Sequence, residues 1–418
     1  MATSTLTPES VIPTRTSLKA QLRRAERLRK IKAFLLVAPL ALFLLVAFIV
    51  PIGTMLWRSV DNSEFTQALP QTATLLKQWD GKVLPVESTY QIFATELQQA
   101  LANGSIGSLG RRLNYEDSSL RTLLNQTLRK LPNQPTSTWQ QTFTEINPRW
   151  SDLSTWQTLK RVAPMTTDRY LLAALDQERN AQGDIVSVAP DKQVYIEVLL
   201  RTLWIAGTVT FICLVMGFPV AYWLATLPQS TSNLLMIFVL LPFWTSLLVR
   251  TAAWIVLLQS GGLVNNALLS MGLIEKPLEL VFNRFGVIVA MVHILLPFMI
   301  LPLYSVMKGI PATYQRAAIS LGAHPFAAFW QVYVPQTLAG VGAGTVLVFI
   351  MALGYYITPA LLGGPSDQMV SYYVAYYTNT TNNWGMAAAL GAILLLVTLV
   401  LYTVYQRLVN QTTPPVRR

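Results

Sequence analysis

Charged side chains are scarce in this chain: Asp, Glu, Lys and Arg together make up 12% of its 418 residues. Soluble domains average about 25%, so these residues are too few to cover a soluble surface of this size. Hydrophobic residues make up 52% of the chain, and the mean hydropathy is +0.42. These values indicate a membrane protein.

Cysteine and histidine are nearly absent as well. Cys213 is the single cysteine, so an internal disulfide is excluded, and His293 and His324 are the two histidines. We therefore expect neither a metal site nor thiol chemistry. The G-x-x-x-x-G-K-[ST] loop that cradles nucleotide phosphates is also missing, so any ATP must be bound by another chain. We predict no catalytic residue, no cofactor in this chain and no enzymatic activity.

Six apolar stretches are long enough to cross a membrane, since a helix needs roughly 20 residues to span the hydrocarbon. Five are free of charge, the third holds Arg250, and none holds Asp or Glu. The first follows a basic segment, but it is too long for a secretory signal and no cleavage site follows, so we expect a retained anchor. The stretches are Ala33–Trp57, Thr202–Leu227, Leu234–Leu258, Phe285–Met307, Leu338–Leu362 and Gly385–Gln406.

An even number of spans places both termini on the same side of the membrane. Positive charge is concentrated on that side. The short loops facing the other side hold only Lys276 and Arg284. The positive-inside rule then predicts that both termini are cytoplasmic. The net charge of +11 reflects this topology, is compatible with attraction to anionic lipids, and requires no nucleic acid as partner. The basic residues on the predicted cytoplasmic side are Arg15, Lys19, Arg23, Arg24, Arg27, Arg29, Lys30, Lys32, Lys308, Arg316, Arg407, Arg417 and Arg418.

A polar segment from Arg58 to Glu197 separates the first two stretches. Proline and glycine punctuate it, which is typical of short helices joined by loops. We expect a small helical domain on the outer face that leans on the membrane helices, because no disulfide staples it. Two roles stay open, a packing cap and a docking surface for a soluble partner. The segment contains Trp139, Trp150 and Trp156 and the helix-like stretches Ser119–Leu131 and Asp168–Arg179.

The loop between the fourth and fifth stretches, residues 308–336, is the most informative segment. Pro311 fits a helix start, Tyr314–Leu321 is predicted as one short helix, and Gly322 as the left-handed turn that ends it. Pro325 is predicted to start a second helix with an aromatic face, which Pro335 stops before the fifth stretch. Two short helices at an angle would form a rigid knob that a partner protein could move as a lever.

This loop carries a resemblance to a known family. The loop contains A-A-x-x-x-G, then a spacer of nine residues, then aliphatic-x-aliphatic-Pro. This pattern resembles the coupling motif of ABC importer permeases. The family usually begins the motif with Glu, where this chain has Arg316, which implies a differently charged groove on the ATPase. The matching positions are Ala317, Ala318, Gly322, Val332, Val334 and Pro335.

Further segments resemble the spermidine/putrescine branch of that family: Leu241–Ser246, Leu248–Trp254, Gly262–Asn265, Leu301–Tyr304 and Ala352–Gly364. The resemblance implies an all-α membrane protein with the six transmembrane helices of the type I ABC importer permease fold and a large extracytoplasmic helical insertion between helices 1 and 2. The implied division is a cytoplasmic basic tail 1–32, transmembrane helix 33–57, the insertion 58–197, a transmembrane domain 198–407 with coupling loop 308–336, and a cytoplasmic tail 408–418.

The resemblance also implies partners. The chain would be a permease subunit in a bacterial inner membrane, working with a second permease subunit, commonly a different chain, with two ATPase subunits that bind ATP and Mg, and with an extracytoplasmic substrate-binding protein. The implied solute is a polyamine, and the alternatives are an opine, a phosphonate or another small organic solute. An ion-coupled carrier is disfavoured because the spans lack Asp and Glu. A membrane-anchored sensor would not account for the 308–336 knob.

Candidates for the pathway or gate are Arg250, Trp244, Trp254, His293, Tyr355 and Tyr356. Arg250 either faces a pathway, as most intramembrane charges do, or snorkels to the interface. His293 is either an interior histidine or a pathway residue. The aromatic residues, with those between Tyr372 and Tyr377, could hold a cation by contacts worth about 0.5–2 kcal/mol each, or could form an interfacial belt.

Overall fold

A computed structural model describes residues 15–135, 137–180 and 183–412. The ends of the two predicted tails, including Arg417 and Arg418, lie outside these residues. Six of the described helices are long and apolar enough to cross a membrane, and we number them span one to span six. They are Ala25–Arg58, Tyr195–Thr226, Leu247–Ser270, Arg284–Lys308, Pro325–Gly354 and Trp384–Arg407.

The chain divides into two compact units, Met1–Trp57 and Arg58–Arg418. The first consists of the helix Arg15–Leu44, a π-helical turn Leu45–Ile49 and the start of the helix Val50–Arg58. Span one begins before the predicted Ala33, because the basic residues that precede it are good helix formers and continue the helix.

The insertion folds around its own hydrophobic core. Trp156 is fully buried at its centre, with its ring 4.6 Å from Tyr90 and 5.4 Å from Phe93, centroid to centroid. Aromatic side chains bury large apolar areas, so the domain needs no disulfide. Its α-helices are Ser63–Ala68, Pro70–Gln78, Glu87–Ala102, Ile106–Glu116, Ser118–Lys130, Trp139–Ile146, Leu153–Val162 and Arg169–Ala173, with short 3-10 turns at Pro148–Ser151 and Pro190–Lys192.

The prediction of one helix over Asp168–Arg179 is wrong. The helix ends at Ala173, and the strand Gln177–Arg179 pairs antiparallel with Ile185–Ser187. Between helix and strand, Asp176 adopts a left-handed backbone with φ 53°. Its carboxylate accepts hydrogen bonds from the amides of Val194, Tyr195 and Ile196 at 2.8–3.0 Å. The chain turns there because Asp176 caps the first turn of span two, whose free amides favour a carboxylate.

Spans two, four and five form the core of the membrane part and meet at glycines. A methyl group on Gly217 would lie 3.1 Å from the Met299 side chain, and one on Gly340 would lie 3.1 Å from the Pro302 carbonyl oxygen. At Gly344 the distance to the Met299 sulfur would be 2.7 Å. Small residues let helix backbones approach closely where no water drives the packing.

Two of the predicted spans are interrupted. The third stretch, Leu234–Leu258, is not one helix, because Pro242 lacks an amide hydrogen and the backbone is extended at Thr245 and Ser246. The helix Gln229–Leu240 therefore ends in a 3-10 turn at Leu241–Trp244, and span three starts at Leu247 and comprises the helices Leu247–Leu258 and Leu263–Ser270.

The fifth predicted stretch, Leu338–Leu362, is also interrupted. Span five ends at Gly354, not at the predicted Leu362, and a separate helix Ile357–Leu362 follows an extended Tyr355. A 3-10 turn Pro365–Asp367, the helix Val370–Asn379 and the last helix Trp384–Thr412 complete the chain. At the start of this last helix, Gly385 packs directly against the Tyr170 ring of the insertion, so the insertion does lean on the membrane helices.

Candidate functional site

The loop 308–336, which we call the knob, contains two helical segments separated at Gly322. Its first helix is Thr313–Ser320, and Gly322 has φ +93°, the left-handed conformation that favours glycine. The Gly322 amide donates to the Ile319 carbonyl and the Ala323 amide to the Ala318 carbonyl, both at 3.0 Å. This pair of hydrogen bonds is a Schellman motif. The structure therefore confirms the predicted turn at Gly322.

The second helix begins at Pro325, as predicted, but Pro335 does not stop it. The helix continues to Gly354 as span five. Proline removes a backbone hydrogen bond and crowds the preceding turn, and the helix adapts by widening to a π-helical turn over Phe329–Tyr333. Next to the proline, the Val332 carbonyl accepts a hydrogen bond of 2.7 Å from the Gln336 side chain. The second helix of the knob and span five are consequently one continuous helix, whereas the first helix, Thr313–Ser320, is separated from it by the turn at Gly322.

Aromatic and polar contacts fix the knob to the C-terminal end of span two. Tyr222 lies 5.2 Å from both Phe329 and Tyr333, centroid to centroid. At the root of the knob, the Lys308 ammonium donates to the carbonyls of Leu227 at 3.0 Å and Ala225 at 3.3 Å. A cation at the free carbonyls of a helix end is favourable. The sequence did not predict this contact between Lys308 and span two, because the two are far apart along the chain.

The free side of the knob is apolar. Leu321 is 89% exposed, Phe326 68% and Trp330 53%, and Tyr314 and Ile319 are also exposed. Exposed apolar side chains in one loop mark an interaction surface. Arg316 and Ala317 are exposed in the first helix, whereas Ala318, Val332 and Val334 are half-buried. We call this surface the knob face.

A second cluster brings together four of the predicted pathway residues. The Trp254 indole donates to His293 Nδ1 at 3.2 Å, and the two rings lie 5.5 Å apart. Arg250 lies one turn before Trp254, within electrostatic range of His293 and Tyr355. Trp244 and Tyr356 are exposed, and Trp244 lies in the 3-10 turn before span three. We call Arg250, Trp254, His293 and Tyr355 the polar face.

The tyrosines between 372 and 377 divide into two pairs. Tyr373 and Tyr377 turn toward span two, where the hydroxyls of Tyr377 and Tyr195 are hydrogen-bonded and the Tyr373 and Tyr195 rings lie 6.1 Å apart. Tyr372 and Tyr376 stack on each other with a centroid distance of 6.5 Å. The first pair therefore serves packing between helices.

A cavity of about 610 Å³ opens in the insertion. Four arginines and three carboxylates line it. Glu116 pairs with Arg112 at 3.2 Å and Arg169 at 3.1 Å. Hydrogen bonds from Arg179 hold the pKa of Asp168 below its usual range. Two of the three carboxylates are bound to arginines, and the arginines outnumber the carboxylates, so the net charge of the lining is positive. The cavity therefore does not suit a polycation.

Comparisons with known proteins identify relatives of the membrane part of the chain. Residues 214–413 match the family described as "Binding-protein-dependent transport system inner membrane component". The spermidine/putrescine transport system permease protein PotB of Escherichia coli (strain K12) is 35% identical over 214 residues, which are 51% of this chain and 78% of that protein. The putative 2-aminoethylphosphonate transport system permease protein PhnU of Salmonella paratyphi A is 27% identical over 243 residues, 56% of this chain and 83% of that protein.

Among solved structures, the fold is similar to a chain in the crystal structure of a bacterial alginate ABC transporter in complex with an alginate pentasaccharide-bound periplasmic protein. The alignment covers 50% of this chain and 76% of the transporter chain, with a TM-score of 0.43 and 17% identity. The fold and the relatives define the chain as a multi-pass transport subunit of an inner membrane, and not an enzyme. It belongs to the family of binding-protein-dependent transport system inner membrane components, the ABC importer permeases. The insertion lies outside the residues that match the family.

Proposed function

We propose that this chain forms the pathway of an ATP-driven importer for a polyamine such as spermidine or putrescine. The relative PotB, named for these two solutes, supports the choice of solute. The observation that carries the importer mechanism is the knob face, an exposed apolar surface whose second helix continues directly into span five. Such a surface is built to receive force from a partner protein.

The proposed partners are a second permease subunit, which we infer to be a different chain, two ATPase subunits and an extracytoplasmic binding protein. ATP and Mg would be held by the ATPase subunits. Both termini and the knob would be cytoplasmic, as the distribution of Lys and Arg indicates. Arg316 is exposed on the knob, so the groove that receives it would present acidic or neutral groups in place of the usual basic ones.

In the proposed mechanism, closure of the two ATPase subunits displaces the knob. Because the helix that begins at Pro325 continues into span five, a displacement of this part of the knob would pass directly into the bundle. Lys308 and the contacts of Phe329 and Tyr333 with Tyr222 carry it to span two. Spans three to five would then rock and open a cavity toward the binding protein.

The polar face would line this cavity. A polyamine could be held there only weakly, by the aromatic rings of Trp254 and Tyr355, because the apolar stretches contain no carboxylate. Weak holding suits a conduit whose selectivity resides in the binding protein. An alternative solute is a phosphonate, which Arg250 would attract and which the 27% identity to PhnU supports.

For the insertion we propose the role of a cap. Asp176 closes the first turn of span two, and Tyr170 packs on Gly385 at the start of span six. The positive balance of the cavity in the insertion argues against a second site for a polyamine there. A docking surface for the binding protein remains the other candidate role.

The test is uptake into proteoliposomes that contain the chain with its co-purifying ATPase and permease subunits. Labelled spermidine, putrescine, 2-aminoethylphosphonate and an opine are offered with the binding protein, with and without enclosed ATP. We expect ATP-dependent uptake of a polyamine that requires every component. Accumulation of solute by this chain alone would refute the importer, and ATP-driven uptake of the phosphonate alone would refute the polyamine.

A further inference from the structure

The guanidinium of Arg250 lacks a partner that its position demands. Its Nε and Nη1 atoms are buried and have no hydrogen-bond acceptor among the residues that the structure describes. Arg250 is also the single charge in the six apolar stretches of the sequence. A buried charge is tolerated in a membrane protein only when it is paired or reaches water. An acceptor is therefore missing from the isolated chain.

The neighbouring elements do not supply this acceptor. His293 of span four and Tyr355 after span five lie within electrostatic range of Arg250, and neither is a carboxylate. His293 already accepts the Trp254 indole N–H through Nδ1.

The other carboxylates of the membrane part do not serve Arg250: Glu275 and Glu279 are exposed in the loop between spans three and four, and two more are paired with arginines. Glu197 pairs with Arg201 at 2.6 Å, and Asp367 pairs with Arg284 at 2.9 Å. Among the described residues no carboxylate is placed to accept from Arg250, so the acceptor is water or a group outside this chain.

The face around Arg250 is open in the single chain. His293 is exposed although it lies in the middle of span four, and Arg250 as a residue is only half-buried. Span three has little of its length buried within the chain. A histidine and an arginine together are costly against lipid, so a protein surface or a water-filled pathway covers this face.

We propose that a carboxylate of the second permease subunit accepts the hydrogen bonds of Arg250 and that this ion pair joins the two subunits at the polar face. The inference rests on the proposed function, because a polyamine carries only positive charge and cannot be the acceptor. The pair would also neutralise Arg250, which otherwise repels a polyamine passing it.

The experiment compares Arg250→Glu, Arg250→Gln and Arg250→Lys with Lys276→Glu, a charge reversal at an exposed loop residue. The first readout is co-purification of the second permease subunit without solute or ATP, so it does not depend on the identity of the cargo. We expect Arg250→Glu to lower the yield of the complex and the uptake by at least about tenfold, Arg250→Lys to recover part of both, and Lys276→Glu to change neither.

Expression of each variant without its partner controls for folding. The level of Arg250→Glu in the membrane should then equal that of the unaltered chain, and a selective loss there would overturn the proposal. The second readout is selection for restored uptake in the Arg250→Glu strain. The expected suppressors replace an Asp or Glu in a membrane span of the second permease with Lys, Arg or a neutral residue.

Two other outcomes would also overturn the proposal. In the first, Arg250→Glu assembles normally and suppressors arise only within this chain. In the second, assembly is normal but the KM for an anionic solute rises, which would mean that Arg250 binds the cargo. Failure of polyamine uptake by the unaltered importer would refute the proposed solute, whereas the assembly readout would still decide the ion pair.

Discussion

The insertion buries large aromatic side chains at its centre, whereas spans two, four and five meet at glycines. In the insertion, water drives apolar groups together, so a large side chain such as Trp156 stabilises the fold most. In the membrane part, lipid is as apolar as the helices themselves, and stability depends on how closely their backbones approach. Removal of a large side chain should therefore be most harmful in the insertion, and enlargement of a small one should be harmful in the membrane part.

The largest effect is expected in the insertion. Trp156→Ala removes a fully buried side chain and should destabilise the insertion by about 3–5 kcal/mol. Val83→Ala, at a side chain that is 66% exposed, is the control and should change stability by less than about 0.5 kcal/mol. Thermal unfolding of the full chain in detergent, followed by tryptophan fluorescence and by limited proteolysis of the insertion, measures both. Equal loss of the membrane helices would contradict an independent core.

In the membrane part, enlarging a small residue should be harmful. Gly344→Val forces a side chain against Met299 and should cost about 1–3 kcal/mol by separating spans four and five. Gly207→Val in span two is the matched control, since a Cβ there meets nothing within 4 Å. Detergent melting and gel filtration compare the two variants. If Gly207→Val were the more damaging, close packing at Gly344 would not be what holds these spans together.

In the knob, the backbone conformation of Gly322 should matter more for coupling than the side-chain contacts at that position. A Cβ on Gly322 meets nothing within 4 Å, but its φ of +93° disfavours a β-branched residue by about 1–2 kcal/mol. We expect Gly322→Val to uncouple ATP hydrolysis from uptake, while Gly322→Asn, which tolerates this conformation, should retain coupling. The ratio of ATP hydrolysed to solute imported is the measurement. Normal transport by Gly322→Val would count against the lever.

The smallest effect concerns a helix cap in the insertion. The Asp117 carboxylate accepts the Ser119 amide at 2.9 Å, and Asp117→Ala should cost about 1 kcal/mol. Asp152→Ala is the control, because Asp152 precedes the helix Leu153–Val162 without a side-chain cap. The melting temperature of the insertion in the full chain reports both. Equal losses in the two variants would show that the cap contributes nothing of its own.

The pH dependence of the same cap has a definite sign. Hydrogen bonds from Ser119 hold the pKa of Asp117 below its usual range, although burial opposes them. The cap is therefore fully stabilising above the ordinary Asp pKa of about 3.9 and is lost as the pH falls through the lower pKa of the folded state. Asp117→Asn should keep the cap and weaken this acid dependence, and an unchanged acid dependence would contradict the assignment.

The sequence predicted local features of this molecule better than distant ones. The turn at Gly322 and the helix start at Pro325 follow from the residues themselves, and the structure confirms both. Pro335 was expected to end a helix, yet a π-helical turn lets the helix pass it. Pro51 in span one likewise follows a π-helical turn, Leu45–Ile49. A proline that follows such a turn does not break the helix, and its sequence pattern does not reveal this.

Contacts between distant segments were beyond prediction for a different reason. Arg250 and Trp254 share one predicted stretch, but His293 and Tyr355 lie on others, and only the packing of the helices brings all four together. The cap of span two by Asp176 joins residues 18–20 positions apart across a hairpin, and the predicted helix over Asp168–Arg179 would have prevented it. Tertiary hydrogen bonds of this kind override local propensity.

The most direct test of the central claim is the sidedness of the knob. In a Cys213→Ala background, Leu321→Cys places one thiol at the most exposed apolar side chain of the knob face. A membrane-impermeant maleimide should label it in inside-out vesicles stripped of the ATPase subunits, not in intact spheroplasts, and restoring the ATPase subunits should protect it. Labelling in intact spheroplasts, or no protection by the ATPase subunits, would contradict a cytoplasmic knob that receives their motion.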